Sequence, residues 1–321
     1  MSALDQLTFR AFRGRDDYQG IVDLINSRVG EEGEGERVTL ASLAEVYDHL
    51  VRCDTATDML MIDNPDGTLA AYARVAWHDV SEGYRAYPIG FEAQAAPAGL
   101  EDEVIRWGVG RATEIAASHD HPDKRIAVWA NDGTRRQDAV LAVGGFAPVS
   151  WSAYMVRPHL DDIADCPLPD GSETRPVEDD HLRAIWEADT QAFRDHQGFV
   201  EPTEDDWERF RDEAAQGTEL WQVAWVGDAV VGQVRTRVRD GEAEALGRRR
   251  AWTEDISTRR DWRGKGVASA LIASSLHQLA GLGFDEAALG VDLDNPTGAL
   301  GVYERMGYEV VHRQTQYSRP I

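Results

Sequence analysis

Apolar residues in the second half of the chain recur with helical spacing between two stretches of strand character. The helical set falls near one face and comprises Val267, Leu271, Leu276, Leu279 and Leu282. The strand-like runs before and after it are Trp252–Ser257 and Glu286–Val291. This pattern predicts a strand, a helix and a second strand in that order, with the apolar face of the helix turned toward a core.

A basic turn with two glycines, Arg263-Gly264-Lys265-Gly266, connects the first strand to the helix. The first turn of a helix leaves backbone N–H groups without intrahelical partners, and the helix dipole places positive potential there. Glycines let an anion approach the backbone closely. The turn therefore predicts a phosphate site at the helix start, although a basic turn that only caps a helix has the same composition.

A capped helix and two closing strands are predicted after the second strand. Asp294-Asn295-Pro296 supplies a side-chain cap and a proline suited to a first turn. The helix carries Tyr303 and ends at Gly307. The closing strands are predicted at Glu309–His312 and Gln314–Ser318.

The rest of the chain alternates strands and helices on both sides of a proline-rich segment, Pro158–Ser172. The first half is predicted to form strands near Leu7–Phe12, Asp58–Asp63, Thr68–Trp77, Arg85–Glu92 and Arg125–Trp129, a final strand pair ending near Val156, and helices from Asp16, near Thr39–Leu50, over Glu101–Ala117 and near Thr134–Val143. The second half is predicted to form a strand near Glu173–Pro176, helices over Asp180–Ala192 and Thr203–Ala215, and a hairpin of Leu220–Val226 with Ala229–Arg239.

Corresponding positions in the two halves indicate that the chain is duplicated. They are aspartates that open two predicted helices, glycines that turn two hairpins, and glycines at two helix-to-strand joints. The pairs are Asp16 and Asp179, Gly67 and Gly227, and Gly145 and Gly307. Near-equal offsets in three kinds of element favour two similar domains. The predicted domains are residues 1–157 and 173–321, and the predicted linker is residues 158–172.

Two segments of the second half match motifs of one enzyme family. Arg263-Gly264-Lys265-Gly266-Val267-Ala268 has the pattern Arg/Gln-x-x-Gly-x-Gly/Ala, and Tyr303-Glu304-Arg305-Met306-Gly307-Tyr308, which follows Asp294-Asn295-Pro296, has the pattern N…YExxGF. With these elements in this order, the segment resembles the C-terminal half of a GCN5-related N-acetyltransferase (GNAT). The resemblance implies an α/β fold of two tandem GNAT-like domains, each with a mixed, mainly antiparallel central sheet flanked by helices.

The resemblance also implies how coenzyme A is held. The end of the first strand would lend backbone groups to the pantetheine arm. The loop and the first helical turn would bind the pyrophosphate through backbone amides, assisted by the charges of Arg263 and Lys265. Asn295 would contact the coenzyme, and it equally suits a helix cap. The predicted cofactor-binding residues are Ile256, Ser257, Thr258, Arg263, Gly264, Lys265, Gly266, Val267, Ala268, Ser269 and Asn295.

Two residues are candidates for catalysis. The resemblance implies that Tyr303 is the general acid that protonates the leaving thiolate, although a core aromatic at helical spacing fits the same position. Some relatives place a glutamate base eleven residues before the loop arginine, where this chain has Trp252. We expect Glu254, on the strand face of Trp252, to take the ammonium proton instead, and Asp255 to point to the other face. The alternative carboxylates are Asp255, Asp292 and Asp294.

The first copy lacks these features. In place of the basic loop it has Ala95-Ala96-Pro97-Ala98-Gly99-Leu100. Glu101-Asp102-Glu103 then places carboxylates at the helix start, where they compete with a pyrophosphate for the same amides. At the offset of the other pairs, the position that corresponds to Tyr303 is Leu141, which cannot donate a proton. We therefore expect a degenerate domain that no longer binds coenzyme A in the usual way and serves to wall the substrate cleft.

Composition narrows the range of functions. The 321 residues include 33 Lys and Arg against 57 Asp and Glu, so the net charge of −24 disfavours nucleic acid and anionic membrane surfaces as partners. Cys53 and Cys166 form neither a disulfide framework nor a metal site, and the nine histidines lack metal-ligand spacing. No apolar run suits a membrane span or a signal peptide, so we expect a cytoplasmic protein.

These features together predict an acyl-CoA-dependent N-acetyltransferase. Its C-terminal domain would move the acetyl group of acetyl-CoA to the amine of a small-molecule acceptor by direct attack, without a metal. We expect a monomer, because duplication within one chain can substitute for dimerisation. Two alternatives stay open at this point: transfer of a longer acyl group, and a coenzyme A-binding sensor without turnover.

Overall fold

The computed structural model describes residues 3–29, 37–80, 82–194, 199–239, 241–294 and 298–321. The chain divides into two compact units: Met1–Ser152 together with His312–Ile321, and Ala153–Val311. Asn295, one of the predicted coenzyme contacts, lies outside the described residues.

Strands and helices alternate along the chain. Up to residue 157 they are β1 Thr8–Arg10, α1 Tyr18–Val29, α2 Leu40–Tyr47, β2 Met59–Asp63, β3 Leu69–Val75, β4 His78–Val80, β5 Tyr84–Ala93, α3 Leu100–Ala117, β6 Lys124–Asn131, α4 Arg135–Val143 and β7 Ala147–Arg157. The later elements are β8 Glu173–Thr174, α5 Leu182–Phe193, α6 Glu204–Ala214, β9 Gln222–Val226, β10 Ala229–Arg237, α7 Glu242–Leu246, β11 Arg250–Thr258, α8 Val267–Gly281, β12 Glu286–Asp292, α9 Ala299–Arg305 and β13 Glu309–Pro320. Short 3₁₀ turns lie at Ala3–Gln6, Gly14–Asp17, Asp179–His181 and Arg260–Trp262.

The first unit contains a mixed sheet in the order β1-β2-β3-β5-β6-β13, with β4 beside β5. The pairs from β1 to β5 are antiparallel, β5 and β6 are parallel, and β6 pairs antiparallel with residues 314–320 of β13. One core lies between this sheet and α3, where Ile89, Val104 and Ile105 are buried. A second core, around Ile21 and Met61, includes α1 and α2.

The second unit repeats the same pairings. Its sheet runs β7-β12-β11-β10-β9-β8, to which β7 contributes Ala153–Arg157. The pairs β8/β9, β9/β10 and β10/β11 are antiparallel, and β11/β12 are parallel. The predicted fold class is therefore confirmed: each unit has a mixed, mainly antiparallel sheet flanked by helices.

Two of the three apolar clusters of the second unit pack helices against its sheet. One includes α8, whose predicted inward residues Val267, Leu271, Leu276 and Leu279 are fully buried. Complete burial of such a side chain contributes roughly 1.5–3 kcal/mol. Leu282 lies beyond the end of the helix and is exposed. The other cluster joins α5 and α6 to β9 and β10 through residues such as Ile185, Phe210 and Trp221.

A glycine on β10 lets the start of α8 approach the sheet. A Cβ atom on Gly232 would lie 2.7 Å from Cγ1 of Val267 and 3.0 Å from the carbonyl oxygen of Ser257. Real Cβ atoms essentially never lie within 3.0 Å of another atom, so the contact with Val267 could not form without a shift. The absence of a side chain at residue 232 therefore fixes the distance between the first turn of α8 and the end of β11.

Some elements differ from the prediction. The two predicted closing strands form one strand, β13, and the predicted pair ending near Val156 forms one strand, β7. β4 and α7 were not predicted; they hold three and five residues, too few to display a period. None of the described helices is long and apolar enough to cross a membrane.

Candidate functional site

The start of α8 is open to solvent. Gly264 and Gly266 have φ values of 73° and 89°, which glycine adopts without strain. A Cβ atom built on either residue would meet nothing within 4 Å. Gly264, Lys265 and Gly266 are exposed, and Val267 behind them is buried in the core. The loop thus presents its backbone outward while the helix behind it is fixed.

The backbone N–H groups at this helix start are available to a ligand. The first helical bond of α8 runs from the N–H of Ala270 to the carbonyl of Gly266. Within the described part of the chain, the N–H groups of residues 264–269 donate no backbone hydrogen bond of normal geometry, although residues 263–266 fold as turns. Such groups beside the positive end of a 15-residue helix favour an anion. Ala268 and Ser269 belong to this first turn and are half-buried.

The two basic side chains of the loop have different surroundings. The Arg263 guanidinium donates to the carbonyl oxygen of Thr258 at 3.2 Å and to that of Ala192 at 2.9 Å. It therefore ties the loop to the ends of β11 and α5. The Lys265 ammonium lies 4.7 Å from the ring centroid of Trp262, on an exposed stretch where it can reach an anion.

Strands β11 and β12 separate in front of this loop. Their parallel ladder covers three residue pairs and ends where Trp252 lies opposite Ala288. β11 continues to Thr258 and β12 to Asp292, and within the described residues these continuations do not pair. The backbone of Ile256–Thr258 therefore borders an opening between two strands. An extended ligand with amide groups can pair with such a backbone.

A bulge interrupts β11 at the same place. Arg235 of β10 lies opposite Glu254 and Gln233 lies opposite Ser257, so one residue of β10 faces two residues of β11. Asp255 is one of these two and has a φ of 46°, in the left-handed region. A bulge of this kind bends the strand and redirects its side chains.

The bulge changes the direction of Asp255. Its carboxylate accepts a hydrogen bond from Arg237 at 2.8 Å and lies 3.0 Å from Arg235. Glu254 also lies near Arg237, at 3.8 Å. The expectation that Asp255 and Glu254 point to opposite faces is therefore wrong, because the extra residue breaks the alternation of the strand.

Glu254, the candidate base, is held by arginines. Arg239 donates to its Oε1 at 2.9 Å, and the guanidinium of Arg239 lies 3.6 Å from the ring centroid of Trp252. Trp252 is buried and its indole N–H donates to Glu242 at 2.8 Å. Trp252 thus supports the arginine that orients Glu254.

Tyr303, the candidate acid, is buried. Its ring packs edge-to-face on Tyr308 with centroids 6.2 Å apart, and the Tyr308 hydroxyl is 2.7 Å from Oγ1 of Thr253. The Tyr303 hydroxyl makes no hydrogen bond with any residue that the structure describes. Burial, and secondarily the charge of Asp292, raises the pKa of Tyr303 to about 12. The phenol therefore keeps its proton throughout the neutral range.

The remaining candidate carboxylates lie at the end of β12. Asp292 is its last residue and Asp294 follows two residues later; both are exposed. Asp292 is the one whose charge acts on Tyr303.

A buried ionic cluster next to the bulge was not predicted from the sequence. Arg235 lies 3.2 Å from Asp189 of α5 and 3.6 Å from Glu213 of α6. Burial raises the pKa of Asp189 and of Glu213, and the charge of Arg235 opposes both shifts. A signal for Asp189 was present: it follows Ile185 by one helical turn, on the buried face of α5.

The corresponding region of the first unit is filled by its own side chains. β5 and β6 pair over four residues and then separate, as β11 and β12 do. Here Arg136 donates to the carbonyl oxygen of Phe91 at 2.7 Å, pairs with Glu92 at 2.6 Å and lies 4.4 Å from the ring centroid of Phe91. The carbonyl that an extended ligand would use is thus already paired.

One group in the described residues could bring three metal-ligating atoms together. Glu178, Asp180 and His181 place one such atom each within 4.8 Å of the others. Both carboxylate residues are exposed, and the imidazole Nδ1 of His181 accepts from the N–H of Glu178 at 3.2 Å. The imidazole therefore serves the turn that opens α5.

An exposed, glycine-containing helix start, a bulged strand before it and a buried tyrosine on the last helix agree with the resemblance to a GNAT domain that the sequence indicated. The model of the Acetyltransferase (GNAT) family matches residues 182–308. This match and the relatives of the chain support the predicted acyl-CoA-dependent N-acetyltransferase.

Most of the chain has known relatives. It is 28% identical over 268 residues to a protein named mycothiol acetyltransferase from Streptomyces bingchenggensis (strain BCW-1), a match that covers 81% of this chain and 80% of that protein. It superimposes with a TM-score of 0.76 and 22% identity on a GCN5-related N-acetyltransferase from Sphaerobacter thermophilus, over 98% of this chain and 96% of that one. A tandem GNAT protein from the clavulanic acid biosynthesis pathway superimposes with a TM-score of 0.70 and 13% identity, over 98% of both chains. The two structures share the fold, and the predicted resemblance is confirmed.

Proposed function

We propose that the second unit transfers an acetyl group from acetyl-CoA to the amine of a small-molecule acceptor by direct attack. One observation carries the proposal: β11 leads from the end of its pairing with β12, at Trp252, to the exposed start of α8, and the residue after Trp252, Thr253, contacts Tyr308, the ring partner of Tyr303. A diphosphate, an extended amide chain and a thioester occur in this order in acetyl-CoA.

The donor would be held mainly by backbone groups. The N–H groups of residues 264–269 would bind the diphosphate, with the Lys265 charge nearby. Ile256, Ser257 and Thr258 would pair with the pantetheine amides on the open side of β11. Arg263 would fix the loop through its bonds to Thr258 and Ala192. We also propose that Asn295 contacts the coenzyme, on the basis of the sequence resemblance alone.

The reaction then needs one base and one acid. Glu254 would take a proton from the acceptor ammonium, directly or through water, so that the nitrogen lone pair can attack the thioester carbonyl. The C–N bond forms, and the C–S bond breaks as the tetrahedral intermediate collapses. The sulfur leaves as a thiolate and takes the proton of Tyr303, and the second proton of the attacking nitrogen restores the phenol.

The acceptor class is supported by the relatives. The Streptomyces relative is named for acetyl transfer in mycothiol chemistry, and the tandem layout of this chain resembles that of mycothiol synthase. This supports a small-molecule acceptor. We find no residue that ties the chain to mycothiol itself. A monomer without nucleic acid or membrane partners remains our proposal from the charge and the duplication.

Isothermal titration with acetyl-CoA tests the donor site. The unaltered chain should bind saturably, and the double variant Gly264→Glu/Gly266→Glu should not bind, because two carboxylates would occupy the anion site. Gly227→Glu is the matched control, since Gly227 has a φ of 57° and open surroundings at a hairpin turn. This substitution introduces the same kind of charge and backbone strain away from the proposed site, so the variant should bind acetyl-CoA normally. Failure of the unaltered chain to bind would remove the proposal.

A second candidate is a coenzyme A-binding protein without turnover. It is favoured by the position of Glu254, whose carboxylate is already engaged by Arg239 and lies near Arg237. A screen of amines for thiol release separates the two functions. Turnover that depends on Tyr303 supports the transferase, and binding without release of coenzyme A supports the sensor.

A further inference from the structure

Arg235 joins three elements of the second unit. Its guanidinium lies 3.2 Å from Asp189 of α5, 3.6 Å from Glu213 of α6 and 3.0 Å from Asp255 of β11. The arginine is 6% exposed. One buried cation therefore holds a carboxylate from each of two helices and from the bulged strand.

Aromatic rings keep water away from this cation. The Arg235 guanidinium lies 5.1 Å from the ring centroid of Phe210 and 5.5 Å from that of Trp221, and both rings are buried. Charge pairs are screened less in such surroundings than on the surface. Arg235 and the more exposed Arg237 both contact Asp255, at 3.0 and 2.8 Å, and the contact of Arg235 is the less screened of the two.

Of the three carboxylate residues that contact Arg235, Asp255 is the one with an unfavourable backbone conformation. Asp255 has a φ of 46°, in a region that side-chain-bearing residues enter at a cost. Such a conformation persists when surrounding contacts enforce it. Arg235 contacts the side chain of this residue, one position before Ile256–Thr258.

We propose that Arg235 is a positioning residue: by holding Asp255 in the left-handed conformation, it maintains the bulge that presents the backbone of Ile256–Thr258 to the pantetheine arm. This rests on the proposed function. The residue acts through Asp255 and touches neither coenzyme nor acceptor. Its loss weakens acetyl-CoA binding, because the competent form of the strand is then only partly populated.

The first test removes the cation without leaving a buried charge unpaired. Asp189→Asn/Arg235→Met eliminates both members of one buried helix contact, whereas Arg235→Met alone leaves an uncompensated buried carboxylate and endangers folding. We expect the Kd for acetyl-CoA to rise about fivefold or more, with a smaller change in kcat. Arg183→Met is the control, because Arg183 forms an exposed pair with Glu187 on the same helix; its Kd should stay unchanged.

The second test is rescue by glycine. Asp255→Gly, added to the double variant, removes the backbone cost and should return the Kd to within about twofold of the original. In the otherwise unaltered chain, Asp255→Ala should weaken binding about tenfold and Asp255→Gly much less, although both lose the carboxylate. A general loss of structure would not be repaired by glycine, which loosens the chain.

A third readout is independent of the coenzyme. Amide hydrogen exchange over residues 254–258 should be faster in Asp189→Asn/Arg235→Met than in the unaltered chain, and unchanged in Arg183→Met. Unaltered exchange, or an unaltered Kd, in the double variant overturns the inference, as does failure of glycine to rescue. If the unaltered chain binds no acetyl-CoA, the proposed function fails and the exchange measurement alone decides the role of Arg235.

Discussion

In the first unit, the Arg28 guanidinium and the Glu101 carboxylate lie 3.0 Å apart, and both side chains are almost completely buried. Glu101 belongs to the first turn of α3, the counterpart of α8. Arg28 also donates to the carbonyl of Ala93, at the end of β5. A buried ion pair of the chain itself therefore lies in the first helical turn whose counterpart in the second unit follows an exposed loop.

This pairing predicts one coenzyme site per chain. An incoming diphosphate would have to displace a buried ion pair, and breaking such a pair costs about 3–5 kcal/mol. Titration with acetyl-CoA should give a stoichiometry of one, and Gly264→Glu/Gly266→Glu should leave no residual binding. A stoichiometry of two, or binding that survives in this variant, would contradict the prediction.

The second prediction concerns Tyr303. Tyr303→Phe should lower kcat by about 10²-fold or more, since general acid catalysis typically contributes that much. The Kd for acetyl-CoA should not change, because the ring remains. Tyr308→Phe is the control: it removes the hydroxyl that contacts Thr253 in the same cluster, so it should lower stability by about 1 kcal/mol and leave kcat much less affected. Equal losses in both variants would argue against Tyr303 as the acid.

The third prediction tests the close approach of α8 to β10. Gly232→Ala places a Cβ against Val267 and the Ser257 carbonyl, so the free energy of unfolding should fall by about 1–3 kcal/mol and acetyl-CoA binding should weaken. Gly281→Ala at the end of α8 meets nothing within 4 Å and should leave both quantities nearly unchanged. Urea unfolding at equilibrium measures the first quantity and titration the second.

The fourth prediction follows from the raised pKa of Tyr303. Its folded pKa of about 12 exceeds the ordinary value of 10.0, so the folded state binds this proton more tightly than the unfolded state does. The stabilisation is complete below pH 10 and is lost as pH rises toward 12. Tyr303→Phe has no such proton, so the stability of the unaltered chain relative to this variant should fall by about 1 kcal/mol between pH 9 and pH 11. Urea unfolding at both pH values checks this, and a constant difference would contradict it.

Much of the fold could be predicted because the apolar pattern determines which face of each element is buried. The spacing of Val267, Leu271 and Leu276 predicted α8 and its orientation. The continuous strand β13 was harder, because His312 and Arg313 interrupt the pattern with polar residues although the backbone stays extended. A strand accepts polar residues on a face that is not in the core, and the local sequence does not show which face that is.

The candidate site was predictable where its chemistry is local. The positive φ values of Gly264 and Gly266 could be predicted from the sequence, since few other residues tolerate positive φ. The cluster of Arg235, Asp189 and Asp255 was not predictable, because its members come from a helix and two strands that are distant from one another in the chain. The direction of Asp255 depends on a bulge that register with β10 creates, and register is a tertiary property.

The division of β13 between the units has a consequence for the ends of the chain. His312–Ile321 belongs to the first unit, where residues 314–320 cover one side of β6. A stop codon after Val311 would remove no residue of the second unit. It would expose a row of unpaired N–H and C=O groups on β6. Such a row is a template for pairing with another molecule, so loss of the C-terminal peptide would appear as self-association of the N-terminal half.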